Sequence, residues 1–273
     1  MSYKQNLHTH TIYCDGKNTP EEMVIAAIEQ GFDSIGFSGH SFVDVLYDFA
    51  MDEQKSTEYR KDVLSLREKY AGKIDILCGL ELDYNSPVDT ASYDYIIGSV
   101  HCMQKNGEYL FVDWDTDKVR HSVEDVFAGD GIEYAKFYFG EVAKLADVKN
   151  VDIIAHFDLL TKFCERVTYF DQNSEAYIRC ATDAMDALEG KVPFFEVNTG
   201  AIGRGYRTSP YPSETLIKEF KKRNFGAVIT TDCHNKDFLS CGYEDAKILL
   251  AKCGFTHHNI LTKDGFKAIP LFD

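Results

Sequence analysis

The sequence predicts an α/β fold whose parallel strands close into a barrel, and three features carry that expectation. Short apolar runs alternate with amphipathic helical stretches through the whole chain, the pattern of repeated parallel β/α units. No GxGxxG fingerprint follows a strand-like run, which makes a doubly wound open sheet the alternative rather than the first reading. At 273 residues the chain suits a single barrel domain spanning residues 1–273.

Taken in order, residues 3–10 form a first short strand. A helix follows over 19–32: Thr19 suits the N-cap, Pro20 the first helical position and Glu22 a capping box, and Gly31 ends it. Residues 34–40 read as a buried strand. A second helix covers 56–70, with Tyr59, Val63, Leu66 and Tyr70 on one face. Strands are expected at 75–83, 94–101, 151–157, 193–200 and 227–234. Helical periodicity returns at 131–147, 174–190, 213–224 and 243–254.

The ends of these strands carry the chemistry. The first ends in His8 and His10 and the second in His40. The third reaches Glu81 and Asp83, and the next two reach His101 and His156. The last two end in Glu196 with Asn198, and in Asp232 with His234. Parallel α/β barrels build their sites at the C-terminal ends of their strands, so six of the nine histidines map to one rim. The other three, His121, His257 and His258, read as surface residues. A lone histidine after a strand is usually a hydrogen-bonded loop residue. Six of them with carboxylates, all at one end of successive strands, fit neither a core nor a solvated surface. Imidazole with carboxylate suits Zn²⁺, Mn²⁺ or Fe²⁺, and the ligands outnumber the needs of one tetrahedral ion.

Composition narrows the setting. With 44% hydrophobic and 27% charged residues the chain is globular rather than disordered or membrane-embedded. A formal charge of −15 argues against a nucleic-acid or anionic-membrane partner, both of which need a basic face. No secretory leader or membrane span is read, and eight scattered cysteines without a CxxC pair read as reduced thiols, so a cytoplasmic protein is expected. Cys14, Cys102 and Cys233 neighbour site residues. Alternation along an extended chain predicts that they face away from the site.

In order and spacing, HTHTIYCDG, FSGH, GLELD, GSVH, IAHFD and TDCH resemble the PHP (polymerase and histidinol phosphatase) superfamily of metal-dependent phosphoesterases. The resemblance covers essentially the whole chain. It implies a distorted (β/α)7 barrel and a centre of three divalent ions. On the family pattern His8, His10, Glu81 and Asp232 would hold the first ion. Glu81, as a bridge, would hold the second with His101 and His156, and Asp15, His40 and His234 would hold the third. Glu81, Asp232 and His234 would carry the catalysis. One departure stands out: the second family motif often reads Asp-His, and here Gly39 precedes His40. Metal-bound hydroxide attacking a small phosphomonoester in line with the ester oxygen is the implied chemistry. Three divalent ions against three carboxylates would leave the site locally positive, in spite of the acidic chain.

Residues 196–213 resemble the corresponding loop of the histidinol phosphatase branch, so L-histidinol phosphate is the implied substrate. Arg204 and Arg207 lie among glycines there, and an arginine fork matches phosphate oxygens. Lys162 is the third expected phosphate contact and Arg166 a weaker one. Tyr109, Phe111, Asp113 and Trp114 are candidates for the imidazole and amine of that ester. Asp83 and Asp113 are candidate proton donors, although solvated carboxylates are the commoner reading of both. Competing readings are a phosphotyrosine-protein phosphatase or small-nucleotide phosphoesterase of the same fold, and an amidohydrolase. Oligomeric state is not legible.

Overall fold

The computed structural model describes residues 3–46 and 48–272. Its apolar runs become short strands. They are β1 (Gln5–Asn6), β2 (Ser34–Phe37), β3 (Asp75–Cys78), β4 (Leu80–Asp83), β5 (Ile96–Ser99), β6 (Cys102–Lys105), β7 (Glu108–Phe111), β8 (Ile153–Ile154), β9 (Phe194–Asn198), β10 (Gly226–Thr230), β11 (His257–Thr262) and β12 (Gly265–Pro270). The helices are α1 (Pro20–Glu29), α2 (Glu53–Lys69), α3 (Thr116–His121), α4 (Gly131–Ala143), α5 (Glu175–Leu188), α6 (Gly200–Gly203), α7 (Glu214–Lys222) and α8 (Tyr243–Lys252).

Local chemistry explains the helix ends. At α1 the Thr19 hydroxyl accepts from the Glu22 amide at 3.2 Å, and the Glu22 carboxylate accepts from the Thr19 amide at 2.9 Å, which completes the expected capping box. Helix α2 starts earlier than its periodicity predicts, because the Asp52 side chain caps it by accepting from the Lys55 amide at 2.8 Å. It buries the expected Tyr59, Val63 and Leu66.

All strands of two sheets are parallel: β1-β2-β3, and β10-β9-β8-β5-β4. Strands β3 and β4 are consecutive, parted by Gly79 alone, so one run of chain serves both sheets. A Cβ on Gly79 would lie 2.3 Å from the Tyr95 ring, so only glycine lets the ring pass at this bend. Tyr95 in turn donates to the Phe37 carbonyl at 3.1 Å and to that of Leu7, tying β5 to the first sheet. Beyond the strands proper, parallel bridges join Thr9 to Cys233 and His40 to Glu81, again linking the two sheets.

Successive side chains of a strand point to opposite faces. Ile97, Ser99 and His101 therefore share a side, as do Glu81 with Asp83, and Val228 with Thr230 and Asp232. At one level Leu7, Tyr95, Ile97, Ile153, Ala155, Val228 and Leu261 form a small apolar cluster. A larger cluster packs helices against the other face of the strands. Polar residues take over where the strands end.

Two antiparallel hairpins were not expected from the alternation. β6 and β7 meet at a two-residue turn, Asn106 and Gly107, with φ of 54° and 83°. β11 and β12 form the C-terminal hairpin, which buries His258 at 2% exposure. The expectation of a surface His258 is thereby corrected: it lies on a strand face turned inward, while its neighbour His257 is exposed. No helix of the described residues is long and apolar enough to cross a membrane.

Candidate active site

Glu81, on β4 and 1% exposed, is the hub of the rim. Its Oε2 lies 3.2 Å from His8 Nε2, 3.5 Å from His10 Nε2 and 2.9 Å from His40 Nδ1. Its Oε1 lies 3.0 Å from His156 Nε2 and 3.3 Å from His101 Nε2. Asp232 Oδ1 lies 3.3 Å from His10 Nε2 and 3.8 Å from His8 Nε2. Asp15 Oδ2 lies 3.0 Å from His234 Nε2, and the His10 and His234 rings stack at 4.0 Å. The nine residues expected as ligands thus converge on one place, from the ends of six strands and the turn after β1.

Asp232 reaches its place through backbone strain. Its φ is 43°, a left-handed conformation that aspartate tolerates better than most side chains. A Cβ on Gly200 would lie 2.8 Å from the Asp232 side chain, so the start of α6 must be glycine for the carboxylate to fit.

Outer hydrogen bonds decide which imidazole nitrogens keep a lone pair. His8 Nδ1 lies 2.9 Å from the Glu196 carboxylate, and His101 Nδ1 lies 3.1 Å from Asp83 Oδ2. An ionised carboxylate only accepts, so each Nδ1 carries the hydrogen and each Nε2 presents a lone pair inward. Burial, with the His234 and His40 rings beside it, lowers His10 to about 3 and keeps it neutral.

This arrangement fits divalent metal. His8 Nε2, His10 Nε2 and Glu81 Oε2 are buried and make no hydrogen bond, although they face one another. Buried polar atoms are ordinarily satisfied, and converging lone pairs repel unless a cation lies between them. Among the described residues three groups have ligand atoms mutually within 4.8 Å: His10, Asp15, His40 and His234; His8, His10 and Asp232; and His40, Glu81 and His101.

A cavity of about 250 Å³ opens over the cluster. Arg204 and Lys162 both line it, as expected. Arg204 donates to the Asp232 carboxylate at 3.0 Å and to its carbonyl at 2.8 Å. Lys162 donates to the Asp113 carboxylate at 2.9 Å and to its carbonyl at 2.8 Å.

Arg207 does not line the cavity. It is buried at 6% exposure, donates to the Thr161 carbonyl at 2.9 Å and the Ser209 hydroxyl at 3.1 Å, and lies over the Tyr211 ring. Its donors are spent holding two loops together, which corrects its expected place at the phosphate. Arg166 likewise binds the Gly205 carbonyl. Of the aromatic candidates, Trp114 lines the cavity, Phe111 packs against it at 5.2 Å, and Tyr109 is not among the lining residues. Of the two candidate proton donors only Asp113 lines the cavity. Asp83 is buried against His101, while burial of Asp113 is outweighed by Lys162 and His101, which hold it ionised at about 2.

Cys102 and Cys233 point away from the cluster, into apolar surroundings. Cys14 does not: its Sγ lies 3.5 Å from His10 Nδ1, because residues 12–15 form a turn and strand alternation no longer applies. A Cβ on Gly39 would meet Met51 Sδ at 3.1 Å and Cys14 Sγ at 3.3 Å, so two sulfurs fill the space beside this glycine. Sequence reasoning placed Glu196 at a strand end and assigned it no role there. It also missed Phe49, which reaches the cavity from a turn with no periodicity to read.

A family model described as PHP domain matches residues 6–200. The histidinol-phosphatase of Bacillus subtilis is 27% identical over 88% of this chain and 97% of its own length. That of Lactococcus lactis is 25% identical over 97% of this chain and 96% of its own. A crystal structure of the Lactococcus lactis histidinol phosphate phosphatase, complexed with zinc, L-histidinol and phosphate, superposes with a TM-score of 0.74 at 20% identity. It covers 97% of this chain and 98% of that one. At that identity the likeness concerns the fold.

Proposed function

Because the chain belongs to the PHP domain family, we propose that it is a metal-dependent phosphomonoesterase that hydrolyses L-histidinol phosphate to L-histidinol and phosphate. The observation that carries this reading is the buried set of inward lone pairs on His8, His10 and Glu81, under a cavity walled by Arg204. Relatives named histidinol-phosphatase, matched over nearly their full lengths, supply the substrate.

His8, His10, Glu81 and Asp232 would hold one divalent ion, Glu81, His101 and His156 a second, and Asp15, His40 and His234 a third. The observed groupings favour one shared centre over separate sites, since His10 and His40 each belong to two groups. Zinc, manganese and iron all suit this donor set. Such ions, when bound, polarise the phosphoryl group and make a water acidic enough to serve as nucleophile at neutral pH.

The protein's own residues do the rest. Glu196 and Asp83 keep His8 and His101 in the tautomer that offers Nε2. Arg204 holds the far oxygen of Asp232, so Oδ1 stays aimed at His10 and His8, and brings a fixed positive charge to the cavity wall. We read the two parallel sheets as parts of one distorted seven-stranded barrel, supported by the bridges Thr9–Cys233 and His40–Glu81. The six strand ends then form one rim.

Phosphate release from a panel of small phosphomonoesters by metal-reconstituted enzyme tests the substrate. Histidinol phosphate should give the highest kcat/KM. Preference for another ester by orders of magnitude would overturn the substrate and leave the metal chemistry standing.

A further inference from the structure

We infer that Glu165, Arg166 and Arg207 are positioning residues that hold the Arg204 guanidinium in place at the cavity wall. The inference rests on the phosphomonoesterase reading of the cavity and adds how its cationic wall is kept rigid. Arg204 stands on a turn that needs outside support. It follows the short helix α6 and precedes Gly205, whose φ of 72° is a left-handed conformation that glycine adopts freely. Gly205 and Thr208 are exposed, so packing does little to fix this stretch.

The support comes from the segment after β8, which side chains lace to residues 205–213. Fully buried Asp158 accepts from the Ser213 amide at 3.0 Å. Arg207 donates to the Thr161 carbonyl at 2.9 Å and to the Thr161 hydroxyl. Both oxygens of Glu165 accept from the Thr208 amide, at 2.8 and 3.0 Å. Arg166 donates at 2.6 Å to the carbonyl of Gly205, the residue next to Arg204. The Tyr206 ring packs against Lys162 Nζ at 4.9 Å and the Arg166 guanidinium at 5.3 Å.

The two partners in this lacing differ in firmness. Leu159, Leu160 and Phe163 belong to the main apolar cluster, so the segment after β8 is anchored in the core. Bonds from it to an exposed glycine-bearing turn restrict the turn. Lys162 and Arg204, one from each segment, both line the cavity, whereas Glu165, Arg166 and Arg207 stand outside its lining. These three therefore act through Arg204 rather than on the ester. A charged donor displaced by an ångström loses its aim at a phosphate oxygen.

The test uses metal-reconstituted wild type, Glu165→Ala/Arg166→Ala, Glu165→Gln/Arg166→Lys and Arg207→Lys, each with Arg204 intact and with Arg204→Ala. The readouts are KM and kcat for histidinol phosphate and p-nitrophenyl phosphate, the Kd of inorganic phosphate by calorimetry, and bound metal. Glu165 and Arg166 are exposed, so their removal should leave the fold intact. Glu165→Ala/Arg166→Ala should raise KM for both esters and the Kd of phosphate by about 10-fold, the worth of one misplaced charge-assisted hydrogen bond, with kcat and bound metal near wild type. Glu165→Gln/Arg166→Lys keeps an acceptor and a donor and should restore wild-type values. Arg207→Lys keeps the charge, loses the fork that spans Thr161 and Ser209, and should raise KM and Kd as Glu165→Ala/Arg166→Ala does. With Arg204→Ala present, each further substitution should change the phosphate Kd by less than about 2-fold. A phosphate Kd unchanged in Glu165→Ala/Arg166→Ala, or the same rise in the absence of Arg204, would overturn the assignment. A wild-type enzyme that binds phosphate and releases none from either ester would contradict the phosphomonoesterase reading instead, and the phosphate Kd values would still decide what the lacing does.

Discussion

Glu196 shows how much of the site is held from outside. It is fully buried, and Oε2 takes His8 Nδ1 and the Thr230 hydroxyl, while Oε1 takes the His156 amide and the Asn198 amide nitrogen. One carboxylate therefore orients a ligand on β1 and links β8, β9 and β10 around it. Replacing Glu196 with Gln keeps the shape, removes the charge and turns one of the two accepting oxygens into a donor, so the hold on His8 Nδ1 weakens. Metal affinity at the His8 site should fall about 10- to 100-fold, as read by competition with a chromogenic chelator, with the fold intact by circular dichroism. Unchanged affinity would show that His8 needs no such partner. His258 offers a second test at this scale. Burial, with Lys247 and His257 nearby, lowers it to about 4, and its Nδ1 has no hydrogen bond. Its pKa is therefore depressed on folding. Its contribution to stability is complete above the unfolded value of about 6.5 and is lost as pH falls from there towards 4. His258→Leu should narrow the drop in Tm between pH 7 and pH 4.5 relative to wild type.

At the scale of elements, the bend between β3 and β4 depends on Gly79. The extra Cβ of Gly79→Ala would run into the buried Tyr95 ring, which also anchors β5 to the first sheet. Overpacking of this kind should cost about 1–3 kcal/mol in urea unfolding, and a neutral result would mean that the ring can move. Elements such as α1 were legible because capping chemistry and apolar period agree within one stretch. The strand ends were legible because their polar residues interrupt apolar runs. The hairpins were harder: Asn106-Gly107 is a turn signal, but β6 and β7 are short and half exposed, so no apolar run announced them. Arg207 shows the limit for single residues. Its type and its glycine-rich neighbourhood match a phosphate contact, and only the folded position of Thr161 and Ser209 reveals where its donors go. Cys14 failed in a similar way, through a turn that sequence alternation does not register.

Across the whole molecule the charge of −15 conceals a local exception. Asp15, Glu81 and Asp232 belong to a cluster of mutually facing donors, which bound cations would turn positive and so make receptive to a phosphate dianion. A ligand that binds only the folded chain stabilises it by mass action, about 3–4 kcal/mol per site at 100 to 1,000 times its Kd. Chelation should therefore lower Tm by several degrees, and zinc or manganese should restore it; a Tm indifferent to chelator would separate the cluster from folding stability. The most direct test of the metal centre itself is elemental analysis beside phosphate release, for wild type and Glu81→Gln. A shared metal centre predicts up to three ions per wild-type chain, one for each donor group, with activity lost on chelation and regained on reconstitution. It predicts fewer ions and a rate reduced by orders of magnitude in Glu81→Gln. A Glu81→Gln protein with full metal content and wild-type rate, or a metal-free wild-type enzyme that still releases phosphate, would contradict it.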